Sequence, residues 1–171
     1  MNITTKIIIT DTNIITDLNN ANILEEFIDI DNVYISDMVK NDEINSKTGN
    51  VKLINKFKVI SATATQLIEV NNLSYTEKKL STYDLLNFVI VRDNNCILAT
   101  GDNRLKIYSE NNGIKVFRTL KIIKLMKDNN IISCSKAIDA CNLLKQCPTT
   151  RIPKTDINNL IDELEKDSVT A

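Results

Sequence analysis

Histidine is absent from this chain of 171 residues, so neither the commonest general base nor the usual nitrogen ligand of zinc is available to it. Cysteine does not fill the gap. The four thiols, Cys96, Cys134, Cys141 and Cys147, show no CxxC spacing, which argues against a zinc site and fits free thiols in a reducing cytosol. Glycine (3) and proline (2) are scarce while Ile, Asn and Lys are heavily used. That is the bias of an AT-rich coding genome, so a single Asn or Lys carries little information. No segment approaches the ~18–20 uninterrupted apolar residues that span a bilayer. The opening MNITTKIII has no basic stretch leading into a signal-length apolar core. A soluble, cytoplasmic protein with no membrane partner is expected.

What is present bounds the class. Apolar residues make up 43% of the chain, enough for a substantial core in one domain and too many for intrinsic disorder. A net charge of −1 argues against holding nucleic acid by bulk positive potential. The charge is unevenly spread, however. Between residues 104 and 127 the bases Arg104, Lys106, Lys115, Arg118, Lys121, Lys124 and Lys127 face only Glu110, and the last turns are acidic. Such a run is ordinarily a solvated face; it becomes a phosphate-binding surface if it borders an acidic site.

Periodicity predicts alternating elements. Short β-branched or apolar runs at 6–10, 33–35, 58–60, 97–99 and 114–117 read as strands. Between them lie helical patterns at 12–20, 22–30, 36–45 with Ser36 as N-cap, 62–70, 76–94 and 103–110. Alternation of this kind predicts a parallel sheet covered on both faces. The tail reads as helices at 120–127, 135–144 and 156–166, the last capped by Thr155. No repeat or linker is evident.

Four acids stand out. Asp11 and Asp102 each follow an apolar strand, in IIITDTN and ILATGDN, and Asp84 and Glu43 lie on helical segments between them. Ligands of open parallel sheets sit at the carboxyl ends of the strands, so Asp11 and Asp102 would share one rim, and an inward Asp84 would reach it from two turns into the long helix. Glu43 competes with Asp42, which a one-residue change of register would turn inward instead. Each acid also has a bland reading: Asp11 and Asp102 as N-caps, Asp84 and Glu43 as solvated charges. Taken together they suggest oxygen ligands for a hard divalent cation, because gathered carboxylates repel unless a cation balances them. Without histidine, the base falls to a carboxylate or to water activated by a cation.

DTN after the first strand, SDMVKNDEI at 36–44, LSTYD at 80–84 and ILATGDNRL at 97–105 together resemble the PIN-domain ribonucleases, in particular toxins of bacterial type II toxin–antitoxin pairs. The resemblance runs from residue 3 to about 125, and RIPKTDINNLIDEL at 151–164 is similar to the C-terminal helices of some members. It implies an α/β, three-layer fold with a central parallel sheet of about four or five strands. Residues 1–128 would form the nuclease domain and 129–171 a helical extension packed on it. It further implies Mg²⁺- or Mn²⁺-dependent endonucleolytic cleavage of RNA, with Asp11, Glu43, Asp84 and Asp102 catalytic, Asp11, Asp84 and Asp102 as metal ligands, and Asn13 and Thr100 in support. A cognate antitoxin and a homodimer are the implied protein partners, with Ile14, Leu18, Leu24 and Phe27 available either as a dimer face or as core. The bulky Leu85, Leu86 and Phe88 depart from the small residues common in the family. TGDN also resembles haloacid-dehalogenase-type phosphatases, but their second Asp is Asn13 here. A PIN-like module that binds RNA or protein without cutting is the remaining alternative.

Overall fold

A computed structural model describes residues 7–9, 12–38, 40–41, 53 and 55–169. Five short strands, β1 (Ile7–Ile9), β2 (Val33–Ser36), β3 (Lys58–Ile60), β4 (Ile97–Ala99) and β5 (Val116–Phe117), pair in the order β3-β2-β1-β4-β5. Every pairing is parallel, with Ile9 opposite both Ile35 and Ala99, Ser36 opposite Ile60, and Ala99 opposite Phe117. Helices α1 (Thr12–Asn20), α2 (Leu24–Ile28), α3 (Ala64–Thr76), α4 (Thr82–Asp93), α5 (Asn103–Asn111), α6 (Thr119–Asp128), α7 (Cys134–Gln146) and α8 (Lys154–Val169) complete the described elements. The α/β class is the one the alternation predicts.

Strand pleating sorts the core into two halves, because successive side chains leave opposite faces. Ile97 and Ala99 join one cluster with Ile7, Val33, Ile35 and Phe117, and Leu98 joins the other. The first cluster takes α1, α2 and α6, and also Ala137, Ala140, Cys141 and Leu144 of α7 and Ile157, Leu160 and Leu164 of α8. The second is built on Leu85–Val91 of α4 with Val70 of α3 and Leu105 of α5. Burial of the Cys141 thiol in the first cluster pushes its pKa up to about 11, so it is a packing residue rather than a nucleophile.

Local chemistry redraws several boundaries. The pattern at 76–94 is helical only from Thr82 to Asp93: α3 ends at Thr76, and residues 77–81 are not helical. Ser81, in an extended conformation, caps α4: its hydroxyl accepts the Asp84 N–H at 3.1 Å and its own N–H donates to Asp84 Oδ2 at 2.9 Å. This reciprocal capping box starts a new helix where apolar periodicity suggested continuity. Thr63 and Gln66 form the same box on α3. Ser36 ends β2 instead of capping a helix, although Asp37, Met38, Lys40 and Asn41 are helical. Thr155 lies inside α8, which begins after Pro153. Ile14, Leu18 and Phe27 are fully buried and Leu24 nearly so, which makes these four residues core and removes them as a dimer face.

Polar contacts tie α3 to α4. Arg92 reaches both Glu69 oxygens, at 2.6 and 2.8 Å, as well as Asp93, and Gln66 donates to Asp93 at 2.9 Å. The Arg92 hydrogen bonds hold Glu69 below the ordinary carboxylate range, while Gln66, and then Arg92, does the same for Asp93. A carboxylate with a lowered folded-state pKa stabilises the fold above its unfolded pKa of about 4 and loses that contribution as pH falls through the folded value. Arg92→Gln should therefore lower the urea midpoint at pH 7, and the gap from the native chain should close between about pH 5 and 3. Leu164→Ala, which hollows the contact of α8 with the first cluster, should cost about 2–4 kcal/mol in the same urea titration.

Candidate functional site

The strand order reverses between β1 and β4: the chain builds outward through β2 and β3, then returns to the other side of β1. In an open parallel sheet that reversal opens a crevice at the carboxyl ends of the two strands, since the connections leave in opposite directions. Asp102 follows β4 by three residues and Asp11 follows β1 by two. Asp11 and both acids of the 42/43 pair lie outside the described residues. Their place can be stated only through sequence and the elements that precede them.

The residues around Asp102 are tightly specified. Thr100, fully buried, extends the ladder by donating its N–H to the Phe117 carbonyl at 3.2 Å, and its hydroxyl accepts the Asp102 N–H at 3.1 Å. Asp102 then caps α5, Oδ1 accepting the Leu105 N–H at 2.8 Å. Arg118, the N-cap residue of α6, donates to the Gly101 carbonyl at 2.9 Å. The turn is thus held from below by a hydroxyl, from inside by a cap and from the side by a guanidinium.

Asp84 belongs to α4, the helix that precedes β4. It lies in the first turn of α4, not two turns into a longer helix, and its Oδ2 also accepts the Ser81 hydroxyl at 2.7 Å. Both described acids thus perform the capping role that a purely structural reading assigns them. Each does so through one oxygen, leaving Asp84 Oδ1 and Asp102 Oδ2 without a hydrogen bond among the described residues. Asn13 is exposed in the first turn of α1.

Three more buried polar groups belong to these elements. Ser36, at the last position of β2, is fully buried, and Asn87, one turn beyond Asp84, is 2% exposed within an otherwise apolar run. Asp37 Oδ1 is buried without a hydrogen-bond partner among the described residues. A polar residue inside the apolar stretch 85–91 was the available signal for Asn87. For Ser36 and Asp37 the strand-end position emerges only from pairing. Among the described residues no three acidic or thiol side chains gather as a cation site. The described candidates, Asp84 and Asp102, offer carboxylate oxygens, the donor type a hard divalent cation takes.

A family model for the PIN domain matches residues 7–166, and the chain belongs to the PIN-domain family. PIN domains are typically nucleases and generally use divalent metals such as Mg²⁺. No curated protein and no solved structure matches the chain significantly. Family membership leaves the haloacid-dehalogenase alternative without an observation in its favour.

The two caps separate stability from chemistry. Ser81→Ala should cost about 1 kcal/mol in urea denaturation, the value of a lost N-cap, whereas Asp102→Asn should stay within about 0.5 kcal/mol because Asn caps as well as Asp.

Proposed function

We propose that this chain is a metal-dependent endoribonuclease, the toxin of a toxin–antitoxin pair, acting in the cytoplasm. The observation that carries the reading is the reversal of strand order between β1 and β4, at whose carboxyl end Asp102 caps α5. Around it we read the three-layer PIN arrangement, with residues 129–171 as a helical extension of the same body.

Asp11, Asp84 and Asp102 would hold Mg²⁺ or Mn²⁺, with Glu43, or Asp42 in its place, orienting the attacking water. When bound, the cation supplies charge for the phosphate oxygens and acidity for water. The rest falls to the chain. Thr100 and the α5 cap keep the Asp102 carboxylate facing the rim, and Asn13 supports Asp11. A carboxylate accepts the proton of the water, since no imidazole exists to do so. In-line attack leaves a 5′-phosphate and a 3′-hydroxyl. An antitoxin would cover the acid-lined groove with a segment carrying a basic residue. A homodimer would use a surface other than the buried face of α1 and α2.

Purified protein incubated with end-labelled single-stranded RNA should cleave it with Mg²⁺ or Mn²⁺ and stop in EDTA. Asp11→Asn and Asp102→Asn should each slow cleavage roughly 100-fold or more, the loss of several kcal/mol of charge stabilisation. Undiminished cleavage by Asp11→Asn would refute the site. A Mn²⁺-induced thermal shift without any cleavage would instead favour a binding module.

A further inference from the structure

Apart from Lys115, which lies over the Phe117 ring, the basic run at 104–127 is sorted by the fold into two groups with different neighbours. Lys106 is paired with Glu110 at 2.8 Å, Lys124 with Glu163 at 2.7 Å, and Lys127 with both Asp167 and Asp128. The acidic last helix thus neutralises the far half of α6. Arg104, Arg118 and Lys121 are exposed and have no carboxylate partner among the described residues. Each sits at the start of a helix: Arg104 second in α5, Arg118 the N-cap of α6, Lys121 third in α6.

Their placement follows from the sheet. β4 and β5 end side by side, and α5 and α6 leave that end toward opposite faces, Leu105 packing in the second cluster and Ile122 in the first. Arg104 and Lys121 therefore flank the end of β4–β5 from the two faces. Arg118 lies between them, fixed on the Gly101 carbonyl one residue from Asp102. On the opposite flank, beyond β3, the first turn of α3 (Ala64, Thr65, Gln66) is uncharged.

We propose that Arg104, Arg118 and Lys121 form a phosphate clamp that positions single-stranded RNA across the acidic rim, so that the strand runs over the β5 side of the sheet. The proposal rests on the nuclease reading and deepens it. A net charge of −1 offers no general attraction for RNA, so the grip has to be local. Guanidinium groups suit it, because they bind phosphate oxygens in fork geometry and stay charged at any working pH. The regularly repeated phosphates of a single strand can meet all three cations along one path.

The test uses Asp102→Asn protein, which should not cut, and a fluorescent mixed-sequence oligoribonucleotide in Mg²⁺, with affinity followed by anisotropy against salt. Arg104→Gln and Lys121→Gln, both surface changes, should each weaken binding and lower the slope of log K against log salt by about 0.7, the value for one lost single-strand phosphate contact. Lys124→Gln and Lys127→Gln, on the neutralised half of α6, should leave the slope unchanged. Arg118→Lys should retain binding more fully than Arg118→Gln. Slopes unaltered by Arg104→Gln and Lys121→Gln, with RNA still bound, would overturn the clamp and leave the nuclease reading standing. Equal losses from Lys124→Gln would replace the clamp with a diffuse field. Weakened binding of a polyglutamate peptide by the same variants, with RNA slopes intact, would assign the three cations to an acidic partner. No RNA binding by the parent protein, together with no cleavage by the native chain, would remove both readings.

Discussion

Parallel pairing of β1 with β4, Ile9 against Ala99, is the constraint from which the site follows. These two strands lie far apart in sequence, and each is short, so neither has meaning alone. Once paired, they force the chain to leave both strands at one rim, and because β2 lies on the other side of β1, the departing connections diverge. The apolar interior of the strands drives the pairing, and the polar residues immediately after them, Thr100 and Asp102 beyond β4, are carried to the rim as a consequence.

The same geometry favours acids at this end of the sheet. Helices α1, α5 and α6 all start just past strand ends at the rim, so the positive ends of three peptide dipoles lie at the end of the sheet where Asp102 sits. Asp102 draws on this directly by capping α5, as Asp84 caps α4, each through one oxygen. Capping and ligation therefore do not exclude one another: a carboxylate held by backbone N–H on one side is pre-oriented on the other. Arg118, bonded to Gly101, adds a full positive charge beside the turn. The far half of α6 has been treated differently, its lysines matched by the acids of α8, while Arg104, Arg118 and Lys121 at the helix starts keep their charge exposed.

How far the sequence could be read depended on the range of the forces involved. The strands at 33–36, 58–60 and 97–99 and the start of α5 were legible because strand-length apolar runs and a following Asp are local signals. The helix at 76–94 begins later than expected, at Thr82, because the capping box at Ser81 that starts it depends on backbone conformation, which hydrophobic periodicity does not register. Ile14, Leu18, Leu24 and Phe27 read equally as core or as interface, since an apolar stripe records that it is buried and not by what. Their burial against α6 and α7 depends on the tail helices. The basic run posed the same problem in charge: only packing of α8 on α6 separates Lys124 and Lys127 from Lys121.

By itself the sequence determined the alternation of strand and helix, the acids that follow β1 and β4, and the absence of an imidazole, because each is a property of residue type and short spacing. It could not decide that Ser36 and Thr100 would be buried at the ends of two strands flanking β1, or which cations would keep their charge exposed. Those outcomes depend on strand order and on α8 docking against α6. Contacts between residues distant in the chain are set by the sum of the packing, not by any local pattern.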